Sequence, residues 1–156
     1  MLNAGVSKDG IKSFVSKPCS WWWSGYKSKD KQRENCCFWS EAAYEQRELN
    51  LKAKKPTFEG IRYEHIVPIQ ELSKMTDCLR NSKKTVQANE VSSLFEEFCH
   101  ACMIVSATEE PLVKPKFAMP NGWDEKDIWA RYRNAMKEGK IKIGTFQQDK
   151  WQPINL

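Results

Sequence analysis

Ile61-Arg62-Tyr63-Glu64-His65-Ile66-Val67-Pro68 is the stretch around which the rest of the chain is read. Ile61 to Ile66 alternates as a short strand, with Ile61, Tyr63 and His65 on one face and Arg62, Glu64 and Ile66 on the other. Pro68 ends it. A proline lacks the N–H that a strand ladder needs but fits the first turn of a helix. The stretch also sets an acid, Glu64, beside His65, one of only two histidines in 156 residues.

Downstream of Pro68, Ile69, Leu72, Thr76 and Leu79 fall at helical spacing and predict a helix, with Asn81 to Thr85 as a polar loop. Val91, Leu94, Phe95, Phe98, Cys102 and Val105 form one stripe at period 3.6. They predict a helix from about Glu90 to Val105, capped by Asn89. That helix would carry the second histidine, His100, opposite its apolar stripe, with Glu96 and Glu97 as neighbours.

Upstream, Ser40 is a plausible N-cap for a helix running to about Lys54, broken by Pro56 and Gly60. Lys27 to Asn35 is a charged loop, and Ser7 to Lys17 is a short helix stopped by Pro18. Trp21, Trp22 and Trp23 are consecutive, so they cannot share one face of a helix or a strand. They form a lid over the core, a protein-binding patch, or a base-stacking platform beside Lys27, Lys29, Lys31 and Arg33.

Toward the C-terminus, Thr108-Glu109-Glu110 is a capped turn stopped by Pro111, and Met119 to Gly122 is a turn. Asp124 caps a last helix with Ile128, Trp129, Tyr132, Ala135 and Met136 inside, ended by Gly139. Arg131 and Arg133 on that helix are expected as solvated charges beside its Trp/Tyr core face, with phosphate contacts as the alternative. A short strand through Ile141, Ile143 and Phe146 and an irregular tail follow. The expectation is an α+β, predominantly helical single domain over 1–156 with a few short strands.

Composition bounds the function classes. The net charge of +5, from 25 basic and 20 acidic residues, permits a nucleic-acid partner without demanding one. No apolar run approaches the roughly 20 residues of a membrane span, and Met1 to Gly5 does not open a secretory signal. A cytoplasmic protein with reduced thiols and no membrane partner is expected. Of six cysteines, only Cys99 and Cys102 have metal-ligand spacing, and a second such pair is missing, so Zn²⁺ is not expected.

The order Glu64-His65, then Asn89, then His100 resembles that of the HNH (ββα-metal) endonucleases over Arg62 to Met103, roughly a quarter of the chain. The resemblance implies a ββα-metal-like core at about 58–105 and a helical extension over 106–156. It implies His65 as general base, Asn89 as its orienting residue, and Glu64 and His100 as ligands of Mg²⁺ or Mn²⁺. The activity implied is metal-dependent hydrolysis of phosphodiester bonds in nucleic acid by a phage or bacterial protein. The alternative is a catalytically inactive HNH-like binding or inhibitor protein acting on a protein or a nucleic acid, with Trp22, Lys27, Lys29, Lys31 and Arg33 as its contact surface. A regular strand sends Glu64 and His65 to opposite faces, so a shared site requires a bulge.

Overall fold

A computed structural model describes residues 29–82, 85–147 and 150–154. The predicted helix over 7–17, Trp21, Trp22, Trp23 and Lys27 lie outside them.

The fold is α+β, built on a five-stranded mixed sheet. The strands are β1 (Phe38–Ser40), β2 (Ile61–His65), β3 (Ala101–Val105), β4 (Ile143–Gln147) and β5 (Lys150–Pro153), in the order β2-β3-β1-β4-β5. β1 runs parallel to β3; the other three pairings are antiparallel. The helices are α1 (Lys29–Glu34), α2 (Glu41–Lys52), α3 (Ile69–Ser82), α4 (Ala88–Phe98) and α5 (Arg133–Lys137). Among the described residues, no helix is long and apolar enough to cross a membrane.

One face of the sheet carries Trp39, Ile61, Ala101 and Met103 and packs with Ala43 of α2. Ser40 caps α2 as predicted, its Oγ accepting from the Ala43 N–H at 3.0 Å. The same hydroxyl donates to the buried Glu109 carboxylate at 2.5 Å, and that carboxylate also accepts from the Val105 N–H at 2.7 Å. Asn50, on the inner side of α2, donates to the Thr57 and Glu59 carbonyls and so holds the connection to β2. The other face, with Ile66, Cys102, Ile104 and Ile143, is covered by Val113, Trp129, Tyr132 and Ala135. α3 and α4 pack on each other over Val67, Leu72 and Phe98, closed by Met119.

Three elements differ from expectation. The helix predicted to reach Val105 stops at Phe98, and Ala101–Val105 is the strand between β2 and β1. A strand covered on both faces is apolar at every position and loses its period of two. Cys102 and Val105 therefore extended the helical stripe by coincidence. Lys29–Glu34, expected as loop, is a short helix with an Asp30–Arg33 ion pair at 3.4 Å. The long last helix is instead a series of turns followed by α5, and the tail forms β5. Asp124 caps locally, its Oδ1 accepting from Lys126 and Asp127 N–H groups.

Gly144 of β4 is covered by the Trp151 indole, whose Nε1 donates to the Trp39 carbonyl at 3.1 Å. A Cβ at Gly144 would run into that ring and into the Gln152 carbonyl. Gly144→Ala is expected to destabilise the protein by about 1–3 kcal/mol, read from the urea midpoint. An unchanged midpoint would mean that both the indole and the β5 backbone at Gln152 can move aside.

Candidate functional site

The four residues named by the Glu-His-Asn-His order are distributed as follows. β2 and β3 pair without a bulge, from Ile61 opposite Val105 to His65 opposite Ala101. Glu64 and His65 therefore project to opposite faces of the sheet. His65 lies with Tyr63, ring edge to ring face at 5.4 Å. Glu64 points to the face covered by the C-terminal segment, where Arg131 meets it at 3.0 Å. His100 is not on a helix. It follows the C-cap residue Cys99, its carbonyl accepts from Ile66 N–H at 2.9 Å, and its ring packs on Phe38 at 5.9 Å. Asn89 is exposed in the first turn of α4 and does not cap it. That helix begins after Gln87, whose N–H donates to the Glu90 carboxylate at 2.9 Å.

Arg131, expected as a solvated charge, lies inside the protein. It is 2% exposed, not solvated. Nε donates to the Pro115 carbonyl (2.7 Å), Nη1 to the His65 and Ile66 carbonyls (2.9 and 3.4 Å), and Nη2 to Glu64 (3.0 Å) and the Lys116 carbonyl (2.7 Å). A guanidinium has five N–H groups, and all five are used. The signal was present in Trp129-Ala130-Arg131-Tyr132, where a lone charge sits among large aromatic residues that need a core. Arg133 is also engaged, in a two-point pair with Asp127 at 2.7 and 3.0 Å.

These partners determine what the side chains can do. The Glu64 carboxylate lies between Arg131 and, at 3.6 Å, Arg62. His65 has a buried Nδ1 with no hydrogen-bond partner among the described residues. Burial, reinforced by the Arg131 charge, pulls its pKa down to about 4. His100 is also held below the usual histidine value, mainly by burial, against a hydrogen bond to the Glu96 backbone. One carboxylate is held by two arginines, one imidazole lies across the sheet, and Asn89 is at the surface. As arranged, the residues do not fit a shared metal ion, and no step is derived through one. Among the described residues, no group of three or more His, Cys, Asp or Glu side chains is placed to hold a metal ion. Cys99 and Cys102 are both buried.

The predicted contact residues that are described lie elsewhere. Lys29 opens α1 and Lys31 is exposed on it, while Arg33 pairs with Asp30 and sits 5.5 Å from the Phe58 ring centroid. Beside α1 is an open cleft of about 770 Å³ lined by residues including Glu34, Asn35, Cys37, Tyr44, Arg47 and Glu48. It is separate from Glu64, His65 and His100, and its Arg47 already pairs with Glu48 at 2.6 Å. Burial pushes the neighbouring Cys36 thiol up to about 12, so it stays protonated, donating toward the Phe38 and Ala101 carbonyls.

Comparison with known proteins finds no match: no family model, no curated protein and no solved structure aligns with the chain.

Two predictions follow from this geometry. Arg131→Met leaves Glu64 without its buried partner and strips four backbone carbonyls of a donor. It is expected to cost about 3–5 kcal/mol, and Glu64→Gln in that background should restore part of the loss. Equal stability of Arg131→Met and the parent in urea would contradict the clamp. For His65, the unfolded chain binds more protons than the folded one between pH about 4 and the ordinary value of 6.5. Stability should therefore decline as pH falls through that window. The His65 ring signals in an NMR titration should stay at their neutral positions until pH approaches 4. A midpoint near 6.5 would show that the ring is not desolvated.

Proposed function

We propose that this chain binds nucleic acid and does not hydrolyse it, with the Glu64-His65 segment serving structure. The observation that supports this reading is the occupation of the Glu64 carboxylate by the buried Arg131 guanidinium. A carboxylate held in that way is not free to take a cation, and releasing it would leave a charge unpaired in the interior. The nucleic-acid side of the proposal is supported by the basic excess of +5, by the exposed lysines at the end of α2 and just after it (Lys52, Lys54 and Lys55), and by the residue order that resembles the HNH family.

A second reading keeps the metal-dependent endonuclease that the resemblance implies. What favours it is His65, whose Nδ1 has no hydrogen-bond partner among the described residues and whose ring stays neutral above about pH 4, the protonation state that a general base needs. It requires Glu64 to exchange Arg131 for a cation.

Cleavage and binding measured together decide between the two. The full chain is mixed with supercoiled plasmid, single-stranded DNA and RNA, each with Mg²⁺, Mn²⁺ or EDTA, beside His65→Ala. The expected outcome is salt-sensitive binding in EDTA and no cutting under any condition. Metal-dependent cutting that disappears in a folded His65→Ala variant would overturn the proposal in favour of the endonuclease. Absence of both binding and cutting would remove nucleic acid as the partner.

A further inference from the structure

Arg131 also holds a surface loop whose side chains have no role in the core. Two of its donors reach the Pro115 and Lys116 carbonyls at 2.7 Å, and the Arg131 carbonyl accepts from Lys114 N–H at 3.3 Å. The backbone of 114–116 is thus fixed to a buried group. Its side chains project outward. Phe117 is 61% exposed, the most exposed of the large apolar side chains described. The Lys116 ammonium stands 5.5 Å from the Phe117 ring centroid, and Lys114 is exposed on the same loop.

The surrounding charge is positive. Glu110 is shared by two cations, Lys116 at 3.0 Å and Arg62 at 2.7 Å. Lys114 adds a further exposed basic group on the same loop. An exposed apolar ring beside a fixed backbone, with the Lys116 ammonium near it and exposed Lys114 on the same loop, matches the chemistry of an unpaired nucleotide: a flat base face with phosphates along the strand. A duplex offers the phosphates but not the face, because its bases are already stacked.

We infer that the loop Lys114-Pro115-Lys116-Phe117 is a contact site for single-stranded nucleic acid, with Phe117 stacking on a base and Lys114 and Lys116 meeting the adjacent phosphates. The inference rests on the nucleic-acid reading above and specifies its surface and its strandedness.

The test is fluorescence anisotropy of the full chain with labelled single-stranded DNA, RNA and a duplex of the same sequence, in EDTA, over a range of salt. The variants are Phe117→Ala, Phe117→Tyr and the pair Lys114→Gln/Lys116→Gln, each checked for an unchanged circular dichroism spectrum. The single strands should bind more tightly than the duplex. Phe117→Ala should weaken them by about 5- to 100-fold, the loss of one base–aromatic stack, and Phe117→Tyr should retain the affinity. The lysine pair should flatten the slope of log affinity against log salt by about 1.4, for two phosphate contacts on a single strand.

If the parent binds single strands and Phe117→Ala binds them equally well, the inference is overturned while the nucleic-acid reading stands. If the duplex binds as tightly as the single strands, the stacking assignment is wrong. If the parent binds no nucleic acid, both the reading and the inference fall. Retention of a protein by the loop in that case would assign it to the other class of partner.

Discussion

The structure turns on one buried cation. Arg131 is inside the protein because each of its five N–H groups has an oxygen to meet and because Glu64 supplies the opposite charge. A guanidinium taken from water with any donor unmet would oppose folding by more than its Coulomb attraction returns. Its partners come from two places far apart in the chain. One is the end of β2 with its continuation at Ile66; the other is the segment 115–116. Arg131 therefore fixes how the C-terminal cover sits on the sheet. Trp129 and Tyr132, packed edge to face at 5.4 Å beside it, supply the apolar area that makes the arrangement favourable.

A second polar cluster does the same work on the far side of β3. Ser40 and Glu109 are both buried. Burial raises its pKa, while the Ser40 hydroxyl and the Val105 N–H pull it back. The hydroxyl of Ser40 serves twice, accepting from the first turn of α2 and donating to Glu109. The turn after β3 is in this way tied to the start of α2, across the strand pair that runs parallel. Hydrogen bonds of this kind contribute little as a net sum, but each leaves an expensive gap if one partner is removed.

What could be read in the sequence follows from how local each signal is. The strand at 61–65, the face that each of its residues takes, the Ser40 cap and the turn at Pro120–Trp123 depend on neighbours a few residues away, and they stand where the residues put them. β3 did not declare itself, because a strand buried on both faces has no alternation to show and was absorbed into the stripe of α4. His100 moved with it, from the outer face of a helix to a connection beside Phe38. The solvation of Arg131 was misread because its partners lie 15 to 67 residues away. The faces of Glu64 and His65 were legible, and with them the conflict between a regular strand and a shared site. That Glu64 would be held by an arginine was not legible, since nothing near it in the sequence names the partner.

The order of the strands has a consequence for how the chain comes to be folded. β1 is bordered by β3 and β4, and both are made after it. The parallel neighbour arrives some sixty residues later and the antiparallel one roughly a hundred residues later. During synthesis β1 leaves the ribosome before β3 and β4, with both of its edges open and a large indole, Trp39, uncovered by them. At typical elongation rates the wait before β4 emerges is on the order of 5–20 s. Pairings this distant close slowly even in the finished chain. Until they close, an open edge beside an uncovered tryptophan is available to any other unpaired strand. The nascent protein is thus exposed to aggregation at β1, and a chaperone that shields residues 36–40 would protect it over that interval.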